Sequence, residues 1–326
     1  MKTEGDKKLD KFLVAVARDF FIMAPQKIGG KSSVAEVKSI SDIDWSGQMT
    51  SNSWKSIFLP ATEVIFKIKD KKLSEVKSKN SAIACVGMNI LDLKALTLFD
   101  LVLASDVYYQ KRRNNILIIG FSPDWPNDYK KFKVFSHNWE ENILEHVVFD
   151  VFLAKIKGGQ LRVYSGSPKG QKILDNYGLK DYKNIEFSGP IQEKGQDKKM
   201  LSLKDRIVKS RNKPIWDKLD KICLACGKCS IVCPTCFCFD LEDKIDPEQA
   251  GRVKKWGNCF YNDFSKVAGG HRELDTVKKK IYFWYTHKFL RIPEEYGIPG
   301  CVSCGRCSKV CPVKIDINKN IQVILK

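Results

Sequence analysis

CLACGKCSIVCP (Cys223–Pro234) and CVSCGRCSKVCP (Cys301–Pro312) are the stretches that decide how this 326-residue chain is read. Both have the spacing C-x2-C-x2-C-x3-C-P. A cubane of four irons and four sulfides takes one thiolate per iron, and three cysteines spaced by two residues let a single tight loop reach three corners. The fourth thiolate has to come from elsewhere. In two-cluster proteins with this spacing, the cysteine before the proline ligates the other cluster. Cys223, Cys226, Cys229 and Cys311 are therefore expected to hold one [4Fe–4S] cluster, and Cys301, Cys304, Cys307 and Cys233 a second. Pro234 and Pro312 lack an amide hydrogen and fix φ, so they break the chain just past each crossing cysteine. Gly227 and Gly305 stand where backbone must approach sulfide. Zinc also uses C-x2-C pairs, but its sites normally take two pairs, not three evenly spaced thiols plus a distant fourth, twice over.

The runs are farther apart than in small ferredoxins, with 67 residues between Cys233 and Cys301. This insertion carries CPTCFC (Cys233–Cys238) and WGNC (Trp256–Cys259), and so three further thiols: Cys236, Cys238 and Cys259. Exposed thiols oxidise, and buried ones seldom cluster without a task. A third metal site is expected, iron–sulfur in preference to zinc, with His271 of AGGH as the nearest fourth ligand and His287 a poorer one. Structural thiols are the alternative. Lys228, Arg306, Lys309 and Lys314 lie in or beside the cluster loops, where a cation favours the reduced state or docks a partner.

Outside the cysteines, composition bounds the problem. A chain of this length has room for about two domains, each with its own core. Its longest apolar stretches, near Ile83–Leu91 and Ile116–Phe121, are far shorter than the ~20 residues of a membrane span. Leu9–Ala24 is interrupted by Lys11, Arg18 and Asp19 and has no small-residue cleavage site, so an amphipathic opening helix is expected, not a signal peptide. A cytoplasmic location follows as the expectation. Of twelve cysteines, eleven lie after position 220, which without an export signal favours metal over disulfides. The formal charge of +18 is spread over scattered lysines. It reads as a solvated surface with some docking face, and a zinc-stabilised nucleic-acid module is the remote alternative.

The fold class expected is α+β. A mixed α/β domain spans 1–195, with strands over Phe58–Ile68, Asn115–Gly120 and Leu161–Tyr164 and helices over Leu91–Leu103 and Trp139–Lys155. A charged linker near Ser188–Met200 leads to a mainly helical [4Fe–4S] dicluster ferredoxin domain over 196–326, with the insertion at 234–300. The paired runs predict a pseudo-twofold arrangement. No G-x-G-x-x-G fingerprint occurs, and SGSPKG (Ser165–Gly170) reads as an ordinary turn. No serine, histidine and acid constellation stands out, and His137 and His146 read as packing or surface residues. No catalytic residue is assigned, so substrate chemistry is expected to belong to other subunits.

With those residues in view the chain resembles a known family. CLACGKCSIVCPTCFCFDL (Cys223–Leu241), WGNC (Trp256–Cys259), VAGGH (Val267–His271), THKF (Thr286–Phe289) and the GCVSCGRC and CPVKIDI segments (Gly300–Ile317) look like the beta subunit of cytoplasmic [NiFe] hydrogenases of the sulfhydrogenase type. The electron-transfer subunit of anaerobic sulfite reductase is similar over the same span. SIFLPATEVIFK (Ser56–Lys67) and DLKALTLFD (Asp92–Asp100) extend the likeness into the first domain. The resemblance implies an electron conduit between a [NiFe] hydrogenase module and a flavin-containing, NAD(P)-binding subunit, within a hetero-oligomer that binds no nucleic acid. The family usually has a cysteine just before the aspartate matching Asp92 and others after the strand matching Ile116–Gly120. Here Leu91 takes the first position and Phe121–Lys133 has no cysteine, so any ligand role there is lost, and Cys85 alone cannot replace it.

Overall fold

Every residue of Ile116–Ser122 is buried, the pattern of a strand covered on both faces in a largely parallel sheet. The chain builds that sheet around it. The computed structural model describes residues 4–69, 72–75, 82–127, 142–191, 198–245 and 250–326. Eleven strands lie among them: β1 Phe21–Ile28, β2 Lys31–Glu36, β3 Thr62–Lys69, β4 Lys72–Glu75, β5 Ile83–Met88, β6 Ile116–Ser122, β7 Val151–Lys155, β8 Leu161–Ser165, β9 Lys183–Asn184, β10 Phe239–Lys244 and β11 Gly251–Trp256. Seven form one sheet in the order β2-β1-β5-β6-β7-β8-β9. In it β1, β5, β6 and β7 are parallel, while β2 and β8 run antiparallel to their inner neighbours.

The period of two along β6 sorts its side chains between two cores. Ile116 and Ile118 face Leu93, Leu96, Phe99 and Tyr109, from the helices Ile90–Val102 and Val107–Asn114. Leu117 and Ile119 face Leu9, Phe12, Leu13 and Leu174, from the helices Glu4–Val16 and Pro168–Asn176. The Ile90–Val102 helix buries nine of its residues. A helix apolar all round must be covered all round, and its far side packs Leu98 on Ile292 and Ile298, and Leu91 and Ala95 on Val302. The first half thereby carries one wall of the second.

Two expectations fail locally. The expected Trp139–Lys155 helix is, over its described part, a 3-10 turn Ile143–His146 followed by β7; its residues 139–141, like His137, lie outside the described residues. The stretch from Val147 to Leu153 is buried at nearly every position, and such a run does not distinguish a buried helix from a buried strand. The opening helix stops at Val16, and Phe21–Ala24 begins β1. The Ser165–Gly170 turn is a helix start: the Ser167 hydroxyl accepts from Gly170 N at 3.0 Å and donates to Asp150 at 2.6 Å. The carboxylate fills the place of an anion. Residues 192–197 of the expected linker lie outside the described residues, and a helix begins at Lys198.

The second half carries helices Lys198–Lys209, Pro214–Ile222, Lys228–Val232, Val277–Thr286, Ile292–Tyr296, Arg306–Val310 and Ile317–Leu325. They share a core of Leu203, Ile207, Trp216, Tyr285, Phe289 and Ile321. It is not helical throughout. The insertion forms the hairpin β10–β11, and β11 pairs antiparallel with β3 to give a second sheet, β10-β11-β3-β4. Trp256 Nε1 donates to Leu59 O at 2.9 Å beside this seam. The halves are also joined by a buried ion pair. Arg306 meets Asp92 at 2.7 and 2.9 Å and Thr50 O and Oγ1 at 2.8 and 2.7 Å. Among the described residues no helix is long and apolar enough to cross a membrane.

Candidate metal centre

The Cys223–Cys229 and Cys301–Cys307 loops fold alike. Ala225 and Ser303 take left-handed φ of 49° and 56°, and Gly227 and Gly305 follow at 71° and 73°. A non-glycine residue held there costs on the order of 1–3 kcal/mol, a strain met mostly at functional sites. In each loop the amide two residues after the first cysteine donates to its sulfur at 3.4 Å: Ala225 N to Cys223 Sγ and Ser303 N to Cys301 Sγ. Turns of this kind aim backbone amides at a common concavity suited to an anion. Gly227 and Gly305 start the short helices Lys228–Val232 and Arg306–Val310, which pack side by side. The pseudo-twofold arrangement read from the repeat is present in the backbone.

One cavity is walled by Cys223, Cys226 and Cys229 together with Cys307 and Cys311 of the other run, over Trp284. On the opposite side Cys233 is buried, close enough to Cys301, Cys304 and Cys307 for its sulfur to act on all three. Burial pushes the Cys229 and Cys301 thiols up to about 12 and raises Cys304 and Cys307 as well. Thiols so placed become ligands when a metal displaces their protons. The donor set is soft, apolar in setting and supplied with N–H groups aimed at sulfur, as an iron–sulfur cluster requires.

Cys233 has a partner that the cysteine pattern gave no sign of. Lys288 is 2% exposed and donates to Cys233 Sγ at 3.3 Å, Thr235 Oγ1 at 3.1 Å and Gly300 O at 3.0 Å. All three ammonium protons are used. A hydrogen bond from Cys236 and, against the effect of burial, this ammonium hold the Cys233 thiol well below its ordinary range. Lys288 sits in the π-turn His287–Arg291 between two helices, a rare element that concentrates at functional sites. Gly300 N returns a bond to Lys288 O at 2.9 Å, and a Cβ on Gly300 would fall 2.8 Å from that oxygen. Only glycine allows this approach.

Cys236, Cys238 and Cys259 wall a second small cavity with His287, Lys288 and Trp284. The structure brings these three thiols together, but His271 is not with them. Its side chain is 66% exposed and meets Glu273 at 3.2 Å. Among the described residues no three His, Cys, Asp or Glu side chains converge closely enough for a single metal ion. Arg306, read from the sequence as a tuning or docking cation, is consumed by Asp92, whereas Lys228, Lys309 and Lys314 are exposed. Leu91 packs against Val302 of the second loop, and Cys85 is buried in the sheet core.

A family model described as a 4Fe-4S dicluster domain matches residues 222–315. The sulfhydrogenase 2 subunit beta of Pyrococcus furiosus is 30% identical over 294 residues, which cover 86% of this chain and 85% of that protein. No solved structure matches the chain.

Proposed function

The chain belongs to the sulfhydrogenase beta-subunit family, and from that premise we propose that it relays electrons between a [NiFe] hydrogenase catalytic module and a flavin- and NAD(P)-binding subunit in a cytoplasmic hetero-oligomer. The observation that carries this reading is the pair of alike cysteine loops packed back to back, each facing the crossing cysteine of the other. Cys223, Cys226, Cys229 and Cys311 hold one [4Fe–4S] cluster, and Cys301, Cys304, Cys307 and Cys233 the other. When bound, such clusters pass electrons one at a time.

The chain's own residues then have distinct tasks. Residues 196–326 form the cluster-bearing unit, and 1–195 form the scaffold that supports it. Cys226 is exposed, and its neighbour Leu224 is 63% exposed, so the first loop offers a short path from a docked partner. The Cys301 loop lies deeper, against the Ile90–Val102 helix.

Lys288 favours the reduced form of the cluster that Cys233 ligates. At an effective dielectric of about 20, a unit charge ~6 Å from the cluster is worth roughly 3 kcal/mol, or about 120 mV for one electron at 59 mV per tenfold. Lys288→Met is expected to lower that cluster's potential by about 100 mV in a redox titration followed by electron paramagnetic resonance, leaving the other cluster within about 30 mV of its wild-type value. Equal shifts in both would argue against the placement.

Affinity purification of the tagged chain from its native cells tests the partners. The expected companions are a nickel-containing large subunit together with a flavin protein. A sirohaem protein in their place would favour the electron-transfer subunit of anaerobic sulfite reductase.

A further inference from the structure

We infer that Cys236, Cys238 and Cys259 are ligands of a third iron–sulfur cluster, with His287 at its fourth corner, set between the two clusters proposed above. The inference rests on that two-cluster reading. Three separate elements build the cavity: the CPTCFC segment leaving the first run, the Gly257–Cys259 turn that follows β11, and the π-turn that holds His287. Asn258 pins the middle element by donating to Gly227 O at 2.9 Å. Cys259 is thereby held beside Cys229, while Cys236 lies against Cys233. The cavity thus borders the first cluster run at Ser230 and reaches the crossing cysteine of the second cluster, Cys233, through Cys236.

Two observations point to an anionic, hydrogen-bond-accepting occupant. Ser230 and Trp284 both lie on this cavity wall, and Ser230 Oγ and Trp284 Nε1 are buried with no hydrogen-bond partner of ordinary length. The Ser230 hydroxyl lies beside the sulfurs of Cys229 and Cys259. A buried donor left unmade costs about 1–3 kcal/mol, and cluster sulfides and their thiolate ligands accept such bonds.

The second observation is uncompensated charge. Lys55 is 4% exposed, and among the described residues it has no carboxylate within ion-pair distance. Lys55 donates to Ser230 O at 3.0 Å and stands 4.0 Å above the Trp256 ring. Its ammonium stands close enough to the sulfurs of Cys236, Cys233 and Cys238 for charge on them to act on it. Protonated thiols carry no charge to balance a buried ammonium, whereas thiolates on a cluster do. Ligation replaces three S–H protons, released to solvent, with three Fe–S bonds.

The spacing also selects the occupant. A lone zinc ion draws its ligand atoms to within ~2.0–2.3 Å of one point, and these side chains do not converge so tightly. A cubane spreads its thiolates over separate corners.

The test is metal and acid-labile sulfide analysis of the full-length protein reconstituted anaerobically with ferrous iron and sulfide. About twelve irons per chain are expected. Cys238→Ala and Cys259→Ala should each lose about four while keeping the remaining eight and their reduced-state spectrum. Wild-type protein with eight irons, unchanged in both variants, would overturn the third cluster and leave the two-cluster reading standing. Eight irons plus one zinc that Cys238→Ala removes would overturn it equally. Fewer than eight in folded wild-type protein would overturn the two-cluster reading itself.

Discussion

Replacing Arg306 with methionine is expected to destabilise the protein by about 3–5 kcal/mol, the usual consequence of leaving one partner of a buried ion pair alone. The Arg306 and Asp92 side chains are each 1% exposed. The guanidinium makes two bonds to the carboxylate and two to Thr50, so its loss orphans a carboxylate, a carbonyl and a hydroxyl at once. The effect is structural and reaches function through position. Arg306 starts the helix after Cys304, and Asp92 lies in the first turn of the helix whose apolar face supports Val302. Guanidinium denaturation of the iron-loaded protein under argon reads the loss as a lower midpoint. Asp92→Leu combined with Arg306→Met should recover most of it, because a well-packed apolar pair replaces a buried ion pair at little net cost. A single variant within about 1 kcal/mol of wild type would mean that the two halves are held together by other contacts.

Cys226→Ala and Cys311→Ser, though 85 residues apart in sequence, are expected to damage the same cluster. Each alone should lose about four irons per chain, and the double variant should also lose only about four. Ligation within each run would instead place the two cysteines on different clusters, and the double variant would lose about eight. The difference is large enough to read from iron analysis without resolving individual spectra. It also separates ligand loss from misfolding, since a collapsed protein would retain no cluster at all.

The cysteine runs were legible because cluster chemistry fixes both residue type and spacing within one short loop. Their backbone likeness, down to the paired left-handed turns at Ala225 and Ser303, follows from the repeat. β6 was legible because its run is too short for a helix and is rich in β-branched residues, Ile116, Ile118 and Ile119, the two features that decide for a strand where periodicity does not. Val147–Leu153 was not, because its apolar residues satisfy helix and strand patterns alike until a neighbouring strand is present to pair with. The buried cations were beyond the sequence altogether. Lys288 lies 55 residues from Cys233, Lys55 lies 175 from Ser230, and Arg306 lies 214 from Asp92. In a lysine-rich chain nothing local marks these few side chains among the solvated ones. His271 was preferred over His287 on motif context, but a glycine-flanked turn carried it to the surface, while a π-turn carried His287 to the cysteines.

The most direct measurement is electron paramagnetic resonance of the full-length protein, purified without oxygen and reduced with dithionite, with iron counted in the same sample. A chain built to relay electrons through crossed clusters should give interacting [4Fe–4S] signals from at least two centres and no fewer than about eight irons. Protein that is folded, binds zinc, contains no iron and stays silent on reduction would contradict it.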